Sequence, residues 1–386
     1  MPEPNDINPP NEDTARPEDT EHAHGEPLRP DWVSPPGETI EELLEERRWT
    51  QAELAERTGL TRKHINDLLR GRAHISADTA ARLDKVLGGT PSFWLEREAQ
   101  YRAVLGRRQE LDAFERQAEW LAELPLKWMI QQGWTDACAS AGEQVAACLR
   151  FFGVASIAAW RQRYEAPSAA YRAAEKLERR PGAVAAWLRQ IECEADRLDC
   201  APYDKQRFRD ALPALRTLTA EPDPGVFVPA MQRLCAAAGV AAVIVPAPPG
   251  CPVHGATRWI GPDRAILALT LRYKSNDQLW FSLFHEAAHI LKHSKKLLVL
   301  EGSEALDPEL EREADRFASD FLIPPAEAAR LRGLRSAAEV EQAARRIGIA
   351  PGIVVGRMQK EGWLPWKNLN GLKVSYEWTL AEDGDG

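Results

Sequence analysis

Six cysteines are spread over 386 residues, and no two of them stand at C-x-x-C spacing. Cys138, Cys148, Cys193, Cys200, Cys235 and Cys251 therefore read as buried free thiols in a reducing cytoplasm. Cys193 and Cys200 are near neighbours in sequence, but no further residue at ligand spacing completes a metal set around them. No apolar run approaches the roughly 18 residues of a membrane-spanning helix, so none is expected. The first residues, MPEPNDINPPNEDTARPEDTEHAHGEP, have no basic n-region and no apolar h-region, and are not expected to act as a signal peptide. An overall positive charge is missing too, since the net charge is −9. That balance sits at the two ends. Residues 1–37 hold nine acids against two bases and the final AEDGDG holds three acids, so the rest is near neutral and DNA binding is not excluded.

What is present is a composition of ordinary globular type, 44% hydrophobic and 28% charged, in a chain long enough for two or three domains. Residues 1–37 form an acidic, Pro-rich tail, expected to be disordered because it has too little apolar surface to offset ordering entropy. His22 and His24 lie in it as tail decoration. Residues 38–105 read as five short helices, all-α, with a helix-turn-helix formed by TQAELAERTG and TRKHINDLLRGR around Gly59. Arg62, Lys63, His64 and Asn66 are expected to face a DNA groove, and Arg70 and Arg72 to reach phosphates. This stretch carries 11 bases and 12 acids, so any positive surface must be local and non-specific affinity modest.

Residues 106–236 read as a helical middle region without a catalytic signature, with Phe151, Phe152, Trp160, Trp187 and Tyr203 as core residues. Residues 237–335 change character. GVAAVIVP, HGATRWI and AILALTLRY read as three strands, followed by two helices, which is an α+β order. AILALTLRY would suit either an internal strand or the addition of an extended substrate strand. Residues 336–379 form a C-terminal helical element, a helix pair around a turn at residues 348–352 that packs on the preceding domain, and residues 380–386 a frayed tail.

The chemistry is concentrated in WFSLFHEAAHILKH, residues 280–293. On a helix, His285 and His289 stand four apart on one face, where two imidazoles can bind the same Zn²⁺. Glu286 between them is the candidate general base on the attacking water. Ser275 and Gln278 have the pattern of a capping box at the start of this helix. Catalytic zinc needs a third protein ligand. The next helix, LDPELEREADRFASDFLIP, begins with Asp307 as N-cap and Pro308 at its first position, and its Glu311 lies 22 residues after His289. Glu311 is expected on the metal, with Asp315 accepting a hydrogen bond from the outer nitrogen of a ligating histidine. Glu313, about 200° round the helix from Glu311, reads as a solvated charge. His254, Arg258, Tyr273 and His293 are candidate donors to the oxyanion.

FHEAAHILKH followed by EREADRFASDFLIP resembles the ImmA/IrrE-type metallopeptidases of the gluzincin-like zinc hydrolases, over at least residues 239–325. The resemblance implies a zincin-like fold, one zinc per chain on His285, His289 and Glu311, Glu286 as base, and cleavage of helix-turn-helix repressors. TQAELAERTGLTRKHINDLLRGR and ISADTAARLDKVLGGTPSFWLEREAQYR resemble the Cro/C1-type (XRE) family, and within it the HigA-type antitoxins. That resemblance implies a homodimer on a pseudo-palindromic operator. Together they lead to the expectation of a cytoplasmic zinc endopeptidase coupled to a DNA-binding domain, with DNA and a regulatory protein as partners and no membrane. Two alternatives stand beside it. One is a non-enzymatic HigA-like repressor whose zinc fold is a sensor or scaffold. The other is a peptidase whose N-terminal module only docks protein substrates.

Overall fold

The computed structural model describes residues 34–165, 181–271, 274–294, 299–300 and 307–377. The chain divides into two compact units, Met1–Gln109 and Glu110–Gly386. The first contains α1 (Pro36–Arg47), α2 (Gln51–Thr58), α3 (Arg62–Leu69) and α4 (Ala77–Leu87), and α5 (Pro91–Glu115) begins in it. Helix starts are set by polar caps: Thr50, Thr61 and Ser76 accept from the backbone N–H of Glu53, His64 and Thr79. Gly59 ends α2 with φ 69°, a left-handed position that glycine adopts without strain. The Arg82 guanidinium donates to the Thr58 carbonyl at 3.0 Å and so ties α4 to the turn between α2 and α3. Ile40, Leu44, Leu54, Ile65, Leu68, Leu83 and Trp94 form the core of this unit.

The second unit contains α6 (Leu126–Gln131), α7 (Ala141–Phe152), α8 (Ile157–Trp160), α9 (Pro181–Asp196), α10 (Lys205–Thr217) and α11 (Pro224–Ala236) before its sheet. The sheet holds β1 (Val240–Ile244), β2 (Gly255–Trp259), β3 (Ala265–Leu269) and β4 (Val299–Leu300), in the order β1-β3-β2-β4. β1 and β3 are parallel, and β2 is antiparallel to both β3 and β4. Then come α12 (Asn276–Lys292), α13 (Pro308–Leu322), α14 (Pro325–Leu331), α15 (Ala337–Ile347) and α16 (Pro351–Lys360).

Both faces of the sheet are covered, which is why AILAL is apolar throughout. Alternate residues of β3 serve different cores. Ala265, Leu267 and Leu269 pack with Trp280, Phe284 and Ala287 of α12, while Ile266 and Ala268 pack with Trp187 and Ile191 of α9. The middle region, the sheet and the C-terminal helices are therefore not independent cores: α9 lies on one face of the sheet, and α10, α11, α15 and α16 share the core of α12 on the other. Each fully buried Phe or Leu contributes about 1.5–3 kcal/mol. Burial of this kind along α12 offsets the cost of enclosing His285, Glu286 and His289 in the same helix.

The capping box expected at Ser275 and Gln278 is not formed. Ser275 is the N-cap residue, but its side chain accepts no cap hydrogen bond. A neighbouring extended segment does the work. Ser275 bridges Ser375, the Asn276 N–H donates to the Val374 carbonyl, and the Asn276 side chain accepts from the Val374 N–H. The other clamp on this end of α12 is α16. A Cβ at Gly352 would lie 2.5 Å from Asn276 Oδ1, and one at Gly356 would lie 2.4 Å from Asp277 Oδ2, so only glycine lets the two helices approach this closely. No helix among the described residues is long and apolar enough to cross a membrane.

Candidate functional site

Side chains four apart on α12 bring His285 Nε2 and His289 Nε2 to 3.0 Å. α13 packs along α12 and supplies Glu311, whose Oε2 lies 3.4 Å from His285 Nε2 and whose Oε1 lies 3.3 Å from His289 Nε2. Asp307 caps α13 through the Glu309 N–H and Pro308 opens it, so the helix starts one turn before Glu311. Four ligands at roughly 2.0–2.2 Å around a tetrahedral ion stand about 3.3–3.6 Å apart. The three donor separations are close to that spacing, and the donor set, two imidazoles and a carboxylate, is one that zinc takes. His285, His289 and Glu311 also form the metal-competent group found among the described residues.

The outer nitrogens of both imidazoles point away from this centre and are engaged. His285 Nδ1 donates to Asp315 Oδ1 at 3.0 Å, one turn along α13 from Glu311. His289 Nδ1 meets His293 Nδ1 at 2.7 Å, and His293 Nε2 in turn faces Glu313 Oε2 at 3.3 Å. Lys292 Nζ donates to the other oxygen of Glu313 at 2.9 Å. A tautomer assignment follows. With His289 Nε2 turned inward as an acceptor, its Nδ1–H donates to His293, and His293 Nε2–H donates to Glu313. Such outer partners fix ring orientation, and their loss typically costs about 10–100-fold in metal affinity or activity. His293→Ala is accordingly expected to weaken zinc binding about 10–100-fold, read by competition with a chromophoric chelator. Lys292→Ala, which removes only the far end of the chain, should change it little.

The carboxyl of Glu311 is pushed up by burial, but its contacts with the His285 and His289 imidazoles outweigh that and bring it down to about 2. Burial pushes His289 below its ordinary value, against the pull of the neighbouring Glu311 carboxylate. Both candidate ligands are thus held at neutral pH in the protonation states that metal binding requires. The sign for stability is the same for the two. An unfolded chain binds protons at His289 below about 6.5 and at Glu311 below about 4.5, where the folded metal-free protein resists them. Stability falls on acidification wherever the unfolded state binds more protons. Metal-free protein should therefore melt at progressively lower temperature as pH drops from 7 towards 4, as calorimetry would show.

Glu286 is fully buried beneath the sheet. The Thr257 hydroxyl reaches its Oε2 at 2.5 Å and lies 3.2 Å from its backbone carbonyl oxygen. Thr257 had no place in the sequence reading. Its only signal was a polar residue at an inward position of HGATRWI, and naming its partner required the register of β2 over α12.

The four oxyanion candidates fare differently. Arg258, the next residue on β2, points to the opposite face and pairs with Glu192 of α9, so the alternation of the strand removes it from the site. His293 has both ring nitrogens engaged, by His289 and Glu313, and is a positioning residue instead. Tyr273 lies outside the described residues. His254 lines a small cavity with Gln278 and Ser282, which share the helix face of Glu286. Glu313 is exposed as expected, but it is ion-paired rather than simply solvated, and Lys292 and then His293 hold its carboxyl below the usual range.

On α3, Arg62 and Lys63 are exposed at the first turn and Arg70 is exposed at the last, while His64 and Asn66 are half-buried. Ile65, Leu68 and Leu69 face the core. Arg72 is exposed as well. Its guanidinium folds back onto α3, donating to Asp67 Oδ1 and Asn66 Oδ1 at 3.0 Å each, so Asp67 offsets its charge and Asn66 is partly occupied.

Comparison with known proteins gives two family matches. Residues 40–95 match the helix-turn-helix family model, and residues 254–358 match that of the M78 peptidases, described as the IrrE N-terminal-like domain. The chain joins a helix-turn-helix DNA-binding domain to an M78 peptidase-family domain. All of His285, Glu286, His289, Glu311 and Asp315 fall inside the M78 segment, and α3 falls inside the helix-turn-helix segment. No curated protein matches the chain. Solved structures that do include an addiction module antidote protein of a HigA family from Coxiella burnetii, 30% identical over 22% of this chain and 92% of that one, with a TM-score of 0.20. An antitoxin GraA is 34% identical over 21% of this chain and 88% of that one, also with a TM-score of 0.20.

Proposed function

We propose that the protein is a zinc-dependent endopeptidase that cuts a regulatory protein of the helix-turn-helix repressor type and is coupled to DNA through its own N-terminal domain. The observation that carries this reading is the convergence of His285 Nε2, His289 Nε2 and the Glu311 carboxylate to within 4.8 Å of one another beside a buried glutamate. These three residues would hold one Zn²⁺, which when bound supplies Lewis acidity to water and to the scissile carbonyl. Asp315 and His293 keep the two imidazoles in the tautomer that leaves Nε2 available. Glu286, oriented by Thr257, takes the proton of the attacking water and delivers it to the departing amine nitrogen. Of the oxyanion candidates, His254 is the one whose placement beside Gln278 and Ser282 suits that role.

At the DNA end, Arg62 and Lys63 are the side chains best exposed to reach a groove, with Arg70 near the backbone. A cytoplasmic homodimer on a two-fold operator is the arrangement this would serve. One experiment addresses both halves. Metal-loaded full-length protein is incubated with purified helix-turn-helix repressors encoded near its own gene, and with the intervening DNA. Discrete repressor fragments should appear, stop with a chelator and return with zinc, and operator retention should be lost with Arg62→Ala or Lys63→Ala. Intact repressors at every metal level would overturn the hydrolase.

A further inference from the structure

A cavity of about 330 Å³ lies between α12, α13 and α16, at the lower end of the size range of ligand sites. It adjoins the histidine centre. Asp315, the acceptor for His285 Nδ1, is part of its wall, and so is Phe281, whose ring centroid is 6.1 Å from that of His285. From Asp315 the groove follows α13 to Ile323, about 12 Å at 1.5 Å per helical residue. That is room for three to four residues of extended chain at roughly 3.3 Å each.

The lining has two characters. Phe281, Leu322, Ile323 and Ile353 are apolar. Among the charges, Asp277 is paired with Lys373 at 2.7 Å and Arg357 with Glu361 at 3.0 Å, while Asp315 accepts a hydrogen bond from the His285 imidazole at 3.0 Å. That leaves Arg316 on the α13 wall and Lys360 on the α16 wall, both exposed, against Asp320 one turn beyond Arg316. The two cations flank the apolar floor from opposite walls, while the carboxylates of Asp315 and Asp320 both lie on the α13 wall.

We propose that this groove binds the stretch of protein substrate beside the scissile bond and selects an apolar side chain with an acidic neighbour. The proposal rests on the peptidase reading above and adds to it a sequence preference. An apolar side chain fills the floor between Phe281 and Ile353, and the adjacent carboxylate lies between Arg316 and Lys360. Because Asp315 is shared, a segment seated here also packs against the carboxylate that orients His285. Substrate binding and the geometry of the centre are thereby coupled.

The test measures binding, separately from turnover. Full-length Glu286→Gln protein, zinc-loaded, is titrated by calorimetry with three terminally blocked hexapeptides that differ only at two central positions: Asp-Leu, Lys-Leu and Asp-Ser. The Asp-Leu peptide should bind at least tenfold more tightly than either of the others. The double charge reversal Arg316→Glu with Lys360→Glu, at exposed positions, should invert the order of Asp-Leu and Lys-Leu. Ser319→Trp, which fills the groove, should weaken both Leu peptides at least tenfold. Equal affinities for the three peptides, no measurable binding of any, or an order unmoved by the charge reversal would overturn the groove. Repressor cleavage by the wild type together with flat peptide affinities would overturn the groove alone. The expected peptide order without any cleavage by metal-loaded wild type would instead overturn the hydrolase alone.

Discussion

Replacing Glu286 with Gln is expected to leave one zinc per chain in place and to lower the rate of substrate cleavage by about 10²–10⁴-fold, the usual worth of a positioned proton-transfer group. The substitution is nearly isosteric, and Glu286 is not among the three converging donors, so the metal set is untouched. The Thr257 hydroxyl can still donate to the remaining amide oxygen, so the side chain keeps its place under the sheet. What disappears is the basicity needed to take a proton from water. The measurement pairs metal content with single-turnover cleavage, so that a loss of zinc cannot pass for a loss of base. A variant that keeps its zinc and cuts at the wild-type rate would remove Glu286 from the mechanism.

How much of this centre was legible in the chain depends on the range of each interaction. His285, His289, Glu311 and Asp315 were readable because i, i+4 spacing alone places each pair on one helix face. The convergence of the two pairs needed one further step, antiparallel packing of consecutive helices, for which their closeness in sequence was sufficient. Thr257 was not readable in this way. Its contact with Glu286 crosses 29 positions and depends on which face of β2 meets α12, a matter of register that a one-residue slip would reverse. The same alternation explains why Arg258, adjacent in sequence and attractive by charge, belongs to Glu192 on the other side of the sheet.

His293 and Glu313 were each seen, but assigned separately. Their roles emerge only when the end of α12 and the outer face of α13 are known to lie side by side. The capping box at Ser275 failed for a related reason. The local pattern was present, but this end of α12 is tied instead through Asn276 and Lys274 to residues 374–376, a pairing of distant segments that local spacing does not reveal. On α3 the apolar stripe was correctly placed, while Arg72, still exposed, lies along the helix surface on Asp67 and Asn66. The coarse division into a helical DNA-binding part and an α+β part was accessible from periodicity, whereas the sharing of one core by residues on both sides of the sheet was not.

Glu311→Ala is the second decisive substitution, and its expected effect reaches beyond activity. Glu311 is the one candidate ligand contributed by α13, so without it the group falls to two imidazoles on a single helix, an incomplete set for catalytic zinc. Bound zinc per chain should fall from about one to below about 0.1 at micromolar free metal, and cleavage should fall with it. Stability supplies an independent readout. A ligand that binds only the folded state raises its stability by about 2.7 kcal/mol when present at 100 times its dissociation constant, so wild-type protein should melt at a clearly higher temperature with zinc than without. In Glu311→Ala that difference should vanish, while the metal-free melting temperature reports separately on the lost contact between α13 and the α12 imidazoles. Glu309→Ala, an exposed acid one half-turn earlier on the same helix, is the control and should retain both the metal and the zinc-dependent shift. Should Glu311→Ala keep a full equivalent of zinc at wild-type affinity, the third ligand lies elsewhere, and the joint between the two helices must be assigned a purely structural meaning.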